Sequence, residues 1–442
     1  MNAAGGEPAV VAPRPWYERL EPVGLAMLLS FVCTLIGHVP DWRAELGRFQ
    51  LLMLVAFAAY ALAVMRRAHW RALPRAGTFV VLVALALRMA VLPVNPSLSD
   101  DVYRYAWEGR VLAGGGNPYA HAPADPALAR FRDHQVHPRV NHPELRAIYP
   151  PLAEAGFALV ARLWYSLLAF KLWILLHDLV LCVLLVAWCR ARGGSAWDAL
   201  VYAWNPLVVT EYAGSAHHDP TGIVWLVAAL MLAERRPVTS ALSAVAAVLV
   251  KLVALPVLPF IARAWPVRVR WWAAAWVGAG LAGYLVLARG PGSGLEAYAN
   301  HWRHNDALFA LLAGPWGERT ARLVAVAAVA GLGAWLWQRR VAALAATRLL
   351  LRAGLLLGPV VHPWYLGWVL ALEPTGPSPG WLLLSCTVLL GYGSFVTPSE
   401  GGGYHPPLPW RLVEYGLPVA LTVVLVLVRR ARAGASTTSS GE

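Results

Sequence analysis

Long apolar stretches alternate along the chain with short polar ones. The apolar spans fall near residues 22–39, 49–65, 76–94, 151–168, 171–189, 197–213, 219–233, 238–262, 271–289, 306–338, 345–372, 380–396 and 409–428. About 20 residues of apolar helix cross a bilayer, so the pattern predicts an all-α integral membrane protein, a multi-spanning helical bundle of about 11–13 membrane segments. Some spans are too short or too long for one simple crossing, which predicts re-entrant or broken helices. No internal repeat and no heptad pattern runs through them. The expected organisation is a cytoplasmic N-terminus (1–21), a single polytopic membrane domain (22–432) with a large outer loop at 95–150, and a small, polar, disordered cytoplasmic tail (433–442). The N-terminus lacks the short apolar core and small-residue cleavage site of a signal peptide, so the first span, about Pro22–Val39, reads as a retained anchor.

Arginine sets the orientation. Residues 65–77 (MRRAHWRALPRAG) carry four arginines and are expected on the cytoplasmic side. Residues 189–194, 234–237, 263–270, 338–340 and 429–432 join them there. Both termini then lie inside, and 95–150, about 213–218, 290–306 and about 397–408 lie outside. This assignment closes only if three apolar regions reverse within the membrane: 151–189, 238–262 around Lys251 and Pro256, and 345–372 around His362-Pro363. Broken helices expose backbone groups, which are tolerated at membrane depth only when buried in protein or lining a cavity. Proline supplies the break in the second and third cases. All three reversals fall on the outer side, which predicts one outward-facing cavity.

The composition agrees with this picture and removes other classes. The chain is 58% hydrophobic and 14% charged, with a mean hydropathy of +0.53, where a soluble domain carries roughly 25% charged residues. The formal net charge of +13 sits between apolar spans, so it reads as topology and anionic-lipid contact rather than nucleic-acid binding. Cys33, Cys182, Cys189 and Cys386 fall in apolar segments without paired spacing, which supports neither disulfides nor a zinc site. Lys171 and Lys251 are the only lysines in an arginine-rich chain.

The polar segment 99–119 (SDDVYRYAWEGRVLAGGGNPY) carries the candidate chemistry. Asp100 and Asp101 admit two readings. They suit a helix N-terminus capped by Ser99, and either can act as a general base beside a lipid-carried substrate. Arg104, Tyr105 and Glu108 follow at helical spacing on the face of Asp101, and Gly114–Gly116 should end the helix before the turn at Asn117–Tyr119. Tyr149-Pro150-Pro151 suits a helix start and a cavity rim. His217-His218-Asp219 reads as an N-cap with polar residues at the interface. Its adjacent histidines lack metal-ligand spacing, so no divalent metal is expected. Lys251, His362 with Tyr365, and His301 with Arg303 are cationic or aromatic candidates for a phosphate contact. For each the alternative is structural, Lys251 for instance snorkelling or pairing with an acid. Arg88 is expected to pair with Asp178, with Glu211 or with a lipid phosphate.

These motifs together resemble the multi-spanning mannosyltransferases of the GT-C glycosyltransferase superfamily, which use polyprenyl-phosphate sugars. The resemblance rests on DDVYRYAWEGRVLAGGGNPY, YPPL (149–152), YAWNPL (202–207), GSAHHDP (214–220), VKLVALPVLP (250–259) and HPWY (362–365), in that order. It covers the chain from about residue 80 onward. His218-Asp219-Pro220 departs from the simpler Asn-Asp pair associated with that station. The resemblance implies inverting transfer of a hexose, most simply mannose, from a polyprenyl-phosphate donor to a glycolipid or glycan acceptor. It implies Asp100 or Asp101 as catalytic base and Lys251, His362, Arg303 and Arg104 at the donor phosphate. Tyr105, Glu108, Tyr119, Tyr149, His218, Asp219 and Tyr365 are expected around the substrate cavity. It requires no cofactor beyond the co-substrate and places the protein in a bacterial inner membrane with a periplasmic active site. A lipid or glycan flippase is the alternative, since broken helices and intramembrane cations fit that class as well.

Overall fold

The computed structural model describes residues 16–395 and 406–438. The cytoplasmic segment expected at 1–21 therefore lies largely outside the described residues, as does most of the outer loop expected at 397–408. Among the described residues the chain forms thirteen helices of nine residues or more. These are α1 (Trp16–Gly37), α2 (Leu46–Arg66), α3 (Ala76–Val91), α4 (Asp101–Ala113), α5 (Pro151–Leu163), α6 (Leu167–Ala191), α7 (Pro220–Leu232), α8 (Pro237–Val250), α9 (Val267–Leu287), α10 (Leu308–Gln338), α11 (Ala343–Leu357), α12 (Pro379–Thr387) and α13 (Leu408–Thr438). The only bridge pairing among these residues joins His304 to Val360. Five helical stretches are long and apolar enough to cross a membrane: Leu20–Gly37, Leu46–Trp70, Leu167–Ala191, Leu308–Gln338 and Leu408–Ala431. The remaining helices have 9 to 16 residues, apart from α9 with 21. The protein is an all-α membrane protein.

Local chemistry explains most boundaries. Pro151 begins α5 and Pro220 begins α7, where a missing N–H costs nothing. Ser166 accepts from the Ala169 N–H and starts α6, so residues 151–189 form two helices, the first too short to cross. α4 ends at Ala113, and Gly115 takes a left-handed φ of 79° that turns the chain. α4 and α5 then run in close contact. Gly109 permits this, since a Cβ there would lie 2.4 Å from the Phe157 carbonyl oxygen. α3 and α6 are joined by an ion pair with no exposed surface, Arg88 Nε donating to Asp178 Oδ2 at 2.6 Å. Tyr202 donates to the other Asp178 oxygen at 2.7 Å. The expected pairing of Arg88 is thus with Asp178.

Four expectations need correction. The span read at 197–213 is not one helix. It is a run of short 3-10, α and π turns interrupted at Asn205-Pro206, where the Asn205 side chain accepts from the Leu207 N–H. Every residue from Ala196 to Val224 is buried, so His217-His218-Asp219 lies in the protein interior and not at an interface. The break in 238–262 falls at Lys251, whose backbone is extended (φ −153°, ψ 125°), while Pro256 sits inside the 3-10 turn that follows. α13 continues to Thr438, into the segment read as a disordered tail, and 439–442 lie outside the described residues. The break at 345–372 comes as expected: α11 stops at Leu357, and His362 precedes a new 3-10 turn.

Candidate active site

A cavity of about 1120 Å³ opens where the broken segments meet. Its walls come from the start of α4, the loop at 141–150, the break at Lys251, the segment 294–304 and the stretch from Gly354 to Val369. Asp100, Asp101, Arg104, Tyr105, Tyr149, His218, Lys251, Arg303, His362 and Tyr365 all line it. Residues far apart in sequence are therefore brought to one place. Three expected lining residues are not. Glu108 is buried behind Arg104, Tyr119 is buried and donates its hydroxyl to the Tyr149 carbonyl at 2.6 Å, and Asp219 lies one layer behind Lys251.

At one end of the cavity, Asp101 Oδ1 accepts from Asn141 Nδ2 at 2.8 Å, and Oδ2 faces the Tyr105 hydroxyl at 3.5 Å. Asp100 precedes α4 without capping it. The Ser99 hydroxyl instead accepts from the Asp101 N–H at 3.3 Å. The Asp100 side chain is 42% exposed, 3.9 Å from Arg139. Burial raises its carboxyl above the usual aspartate value, against the opposing pull of Arg139 and Arg43. Beneath the two aspartates lies an aromatic layer. Tyr105 stacks on Phe157 at 4.8 Å, and His218 meets both Tyr105 and Tyr149 edge-on at 5.0 Å.

Lys251 holds another wall. Its ammonium donates to Asp219 Oδ1 at 2.6 Å and sits 4.5 Å from the centre of the Tyr365 ring. Trp368 Nε1 donates to the same Asp219 oxygen at 2.7 Å. Asp219, read as an N-cap, makes no capping bond to α7, because its carboxylate turns to Lys251 and Trp368 instead. His362 lies in a column of rings: His304 4.4 Å on one side, Trp364 4.2 Å on the other, and His217 3.5 Å beyond Trp364. His217 Nδ1 in turn approaches Glu211 at 3.1 Å.

Two of the expected phosphate ligands have other work. Arg303 is ion-paired to Asp306 at 2.7 Å and to Glu318 at 3.0 Å. Arg104 donates to Glu108 and to the backbone carbonyls of Asn141, His142 and Leu145, committing four of the roughly five N–H donors a guanidinium carries. Both line the cavity while bracing its walls. Asn141, His142, Tyr298, Trp302, His304 and Trp368 also line it and were not singled out from the sequence. Asn141-His142 sits in a polar loop without periodicity. The run NHWRH (300–304) was visible as an aromatic and cationic cluster, but only His301 and Arg303 were drawn from it. Among the described residues, no three His, Cys, Asp or Glu side chains gather so as to hold a metal ion.

Residues 26–267 match the model of the MptA_B family, described as alpha-(1->6)-mannopyranosyltransferase, N-terminal domain. Neither the curated proteins nor the solved structures give a match. The matched region takes in Asp100, Asp101, the loop at 141–150, His217, His218, Asp219 and Lys251, and leaves His304, His362 and Trp364 outside it. A membrane bundle with a cavity headed by paired acids, matched over more than half its length to this description, belongs to the alpha-(1->6)-mannopyranosyltransferase family and is a mannosyltransferase.

Proposed function

We propose that the protein transfers mannose from a polyprenyl-phosphate donor to a hydroxyl of a glycan or glycolipid acceptor, with inversion, at the outer face of a bacterial inner membrane. One cavity lined by both Asp101 and Lys251 carries this reading. It offers a carboxylate to the acceptor hydroxyl and an ammonium to the departing phosphate.

Asp101 is the better-placed base of the pair. The Asn141 amide holds one oxygen, leaving the other with only a long contact to Tyr105. In the proposed step Asp101 takes the acceptor proton as the acceptor oxygen attacks the anomeric carbon. The bond from that carbon to the phosphate oxygen breaks, and its electron pair leaves with polyprenyl phosphate. A β-linked donor then gives an α-glycoside through a transition state of oxocarbenium character. Lys251 offsets the charge of the leaving group, and the His362 ring can donate a hydrogen bond to it. A phosphate leaves with little need of protonation, so one base serves, and the step as written calls for no divalent metal. Arg104 and Arg303, with donors already committed, are left out of the phosphate site.

The test is transfer from radiolabelled polyprenyl-phosphate mannose in membranes carrying the wild type, Asp101→Asn or Asp100→Asn. Asp101→Asn should lower transfer by about a hundredfold or more, in line with loss of a general base. Normal turnover in both single variants would remove the carboxylates from the mechanism. For the side of the membrane, a cysteine placed at the exposed Arg130 should react with an impermeant maleimide in intact spheroplasts. Labelling only after lysis would reverse the orientation.

A further inference from the structure

His142 is one of few non-glycine residues with a left-handed backbone, at φ 47°. Such a conformation costs on the order of 1–3 kcal/mol and persists only where its surroundings impose it. The surroundings are clear here. Arg104 donates to the carbonyls of Asn141 at 3.0 Å and of His142 at 2.9 Å, fixing the dipeptide from behind. The forced turn sends the two side chains to different tasks. Asn141 holds Asp101, and the His142 ring lies 4.8 Å from the Trp302 indole at 43°. Trp302 meets Tyr298 at 5.4 Å, and the Tyr298 hydroxyl is 3.2 Å from that of Tyr365, beneath Lys251. Trp302 therefore stands between the acid end of the cavity and its cation end. It lines the cavity, is only partly buried, and belongs to none of the apolar core clusters.

The Trp302 indole is partly exposed to the cavity, and the His142 ring is 46% exposed, with Glu144 3.5 Å from its Nδ1, so neither ring is held in an apolar core. The faces of a hexopyranose carry C–H bonds while its edges carry hydroxyls, so a sugar lays a face on an aromatic ring and turns its hydroxyls to polar groups. We infer that Trp302 and His142 form the acceptor subsite. They seat a hexopyranose ring of the acceptor and direct its hydroxyl toward Asp101, whose partner Asn141 is the chain neighbour of His142. The proposal rests on the reading of Asp101 as base. Asn141 acts as a positioning residue within it, and Trp302 and His142 decide acceptor affinity.

The full-length protein in detergent is tested with octyl α-D-mannopyranoside as acceptor and polyprenyl-phosphate mannose as donor. Trp302→Ala and His142→Gly should each raise the acceptor KM by about tenfold or more, as loss of an aromatic anchor does elsewhere, with the donor KM within about twofold of wild type. His142→Gly keeps the left-handed backbone without strain while deleting the ring, and Trp302→Phe should recover most of the affinity. Saturation-transfer NMR reads mannoside binding without turnover: ring signals should persist in Asp101→Asn and fade in Trp302→Ala. Unchanged acceptor KM and unchanged NMR signals in Trp302→Ala would overturn the proposal, as would a rise confined to the donor KM. If instead Asp101→Asn turned over normally, the base assignment would fall, while the NMR contrast between wild type and Trp302→Ala would still decide the platform.

Discussion

Lys251→Ala separates the structural and chemical roles of the lysine at the helix break. Its ammonium lies 2.6 Å from Asp219, with the lysine side chain 22% exposed and the aspartate 1%. Removing it strands the Asp219 carboxylate in the interior. One oxygen keeps the Trp368 indole N–H, and Oδ2 has no partner among the described residues. Breaking a fully buried pair costs roughly 3–5 kcal/mol, and the partial exposure of Lys251 brings the expected loss to about 2–4 kcal/mol. Lys251→Met/Asp219→Asn removes both charges. The amide oxygen introduced at position 219 can still accept from Trp368, so the stability should return to within about 1 kcal/mol of wild type. Donor affinity should not return. Without the ammonium, the donor KM is expected to stay at least about tenfold high, or roughly 1.4 kcal/mol. The assays are thermal unfolding in detergent and initial rates against polyprenyl-phosphate mannose for the wild type, Lys251→Ala and the double variant. A double variant that recovers both stability and donor KM would show that Lys251 only neutralises Asp219. A stable single variant with unchanged donor KM would refute the phosphate contact directly.

Two further outcomes are expected. Burial raises the Asp100 carboxyl while Arg139 pulls it down, so Arg139→Gln should raise it further. The protonated form would then persist to higher pH. With Asp101 as the base, the acid limb of kcat/KM should stay in place, and an upward shift would show that the charge of Asp100 enters the rate. At the α4–α5 contact, Gly109→Ala would drive a methyl against the Phe157 backbone and should destabilise the protein by about 1–3 kcal/mol, measured by thermal unfolding. An unchanged melting temperature would mean that the two helices are not closely packed.

Much of the fold was legible because its signals are local. Pro151 and Pro220 start helices, Gly115 ends one, and the arginine-rich turns punctuate the bundle. The paired acids could likewise be read where they stand, and so could the existence of a break in 238–262, though not its place at Lys251. What escaped depends on pairings across the chain. Asn141 reaches Asp101 over 40 positions, and nothing in the local sequence marks it. Glu108 does share the face of Asp101, yet seven residues of helix is a rise of about 10 Å, which carries it past the cavity. The stretch 197–213 reads as one span because apolar composition is the same whether a segment faces lipid or protein. Asn205-Pro206 is the visible sign that it is broken. Arg104 and Arg303 each have an acid within four residues, Glu108 and Asp306, but their remaining partners, the carbonyls of 141–145 in one case and Glu318 in the other, lie too far along the chain to leave a pattern.

The bracing of the 141–145 loop by Arg104 has an evolutionary consequence. Three of its four bonds go to main-chain oxygens, and every amino acid supplies a carbonyl. The shape of the loop is thus insulated from the identity of the residues in it. Side chains presented to the cavity from this loop can be exchanged one at a time while the scaffold behind them keeps its form. A family built this way could retune which sugar it accepts by drift at the loop positions other than Asn141, whose side chain holds Asp101.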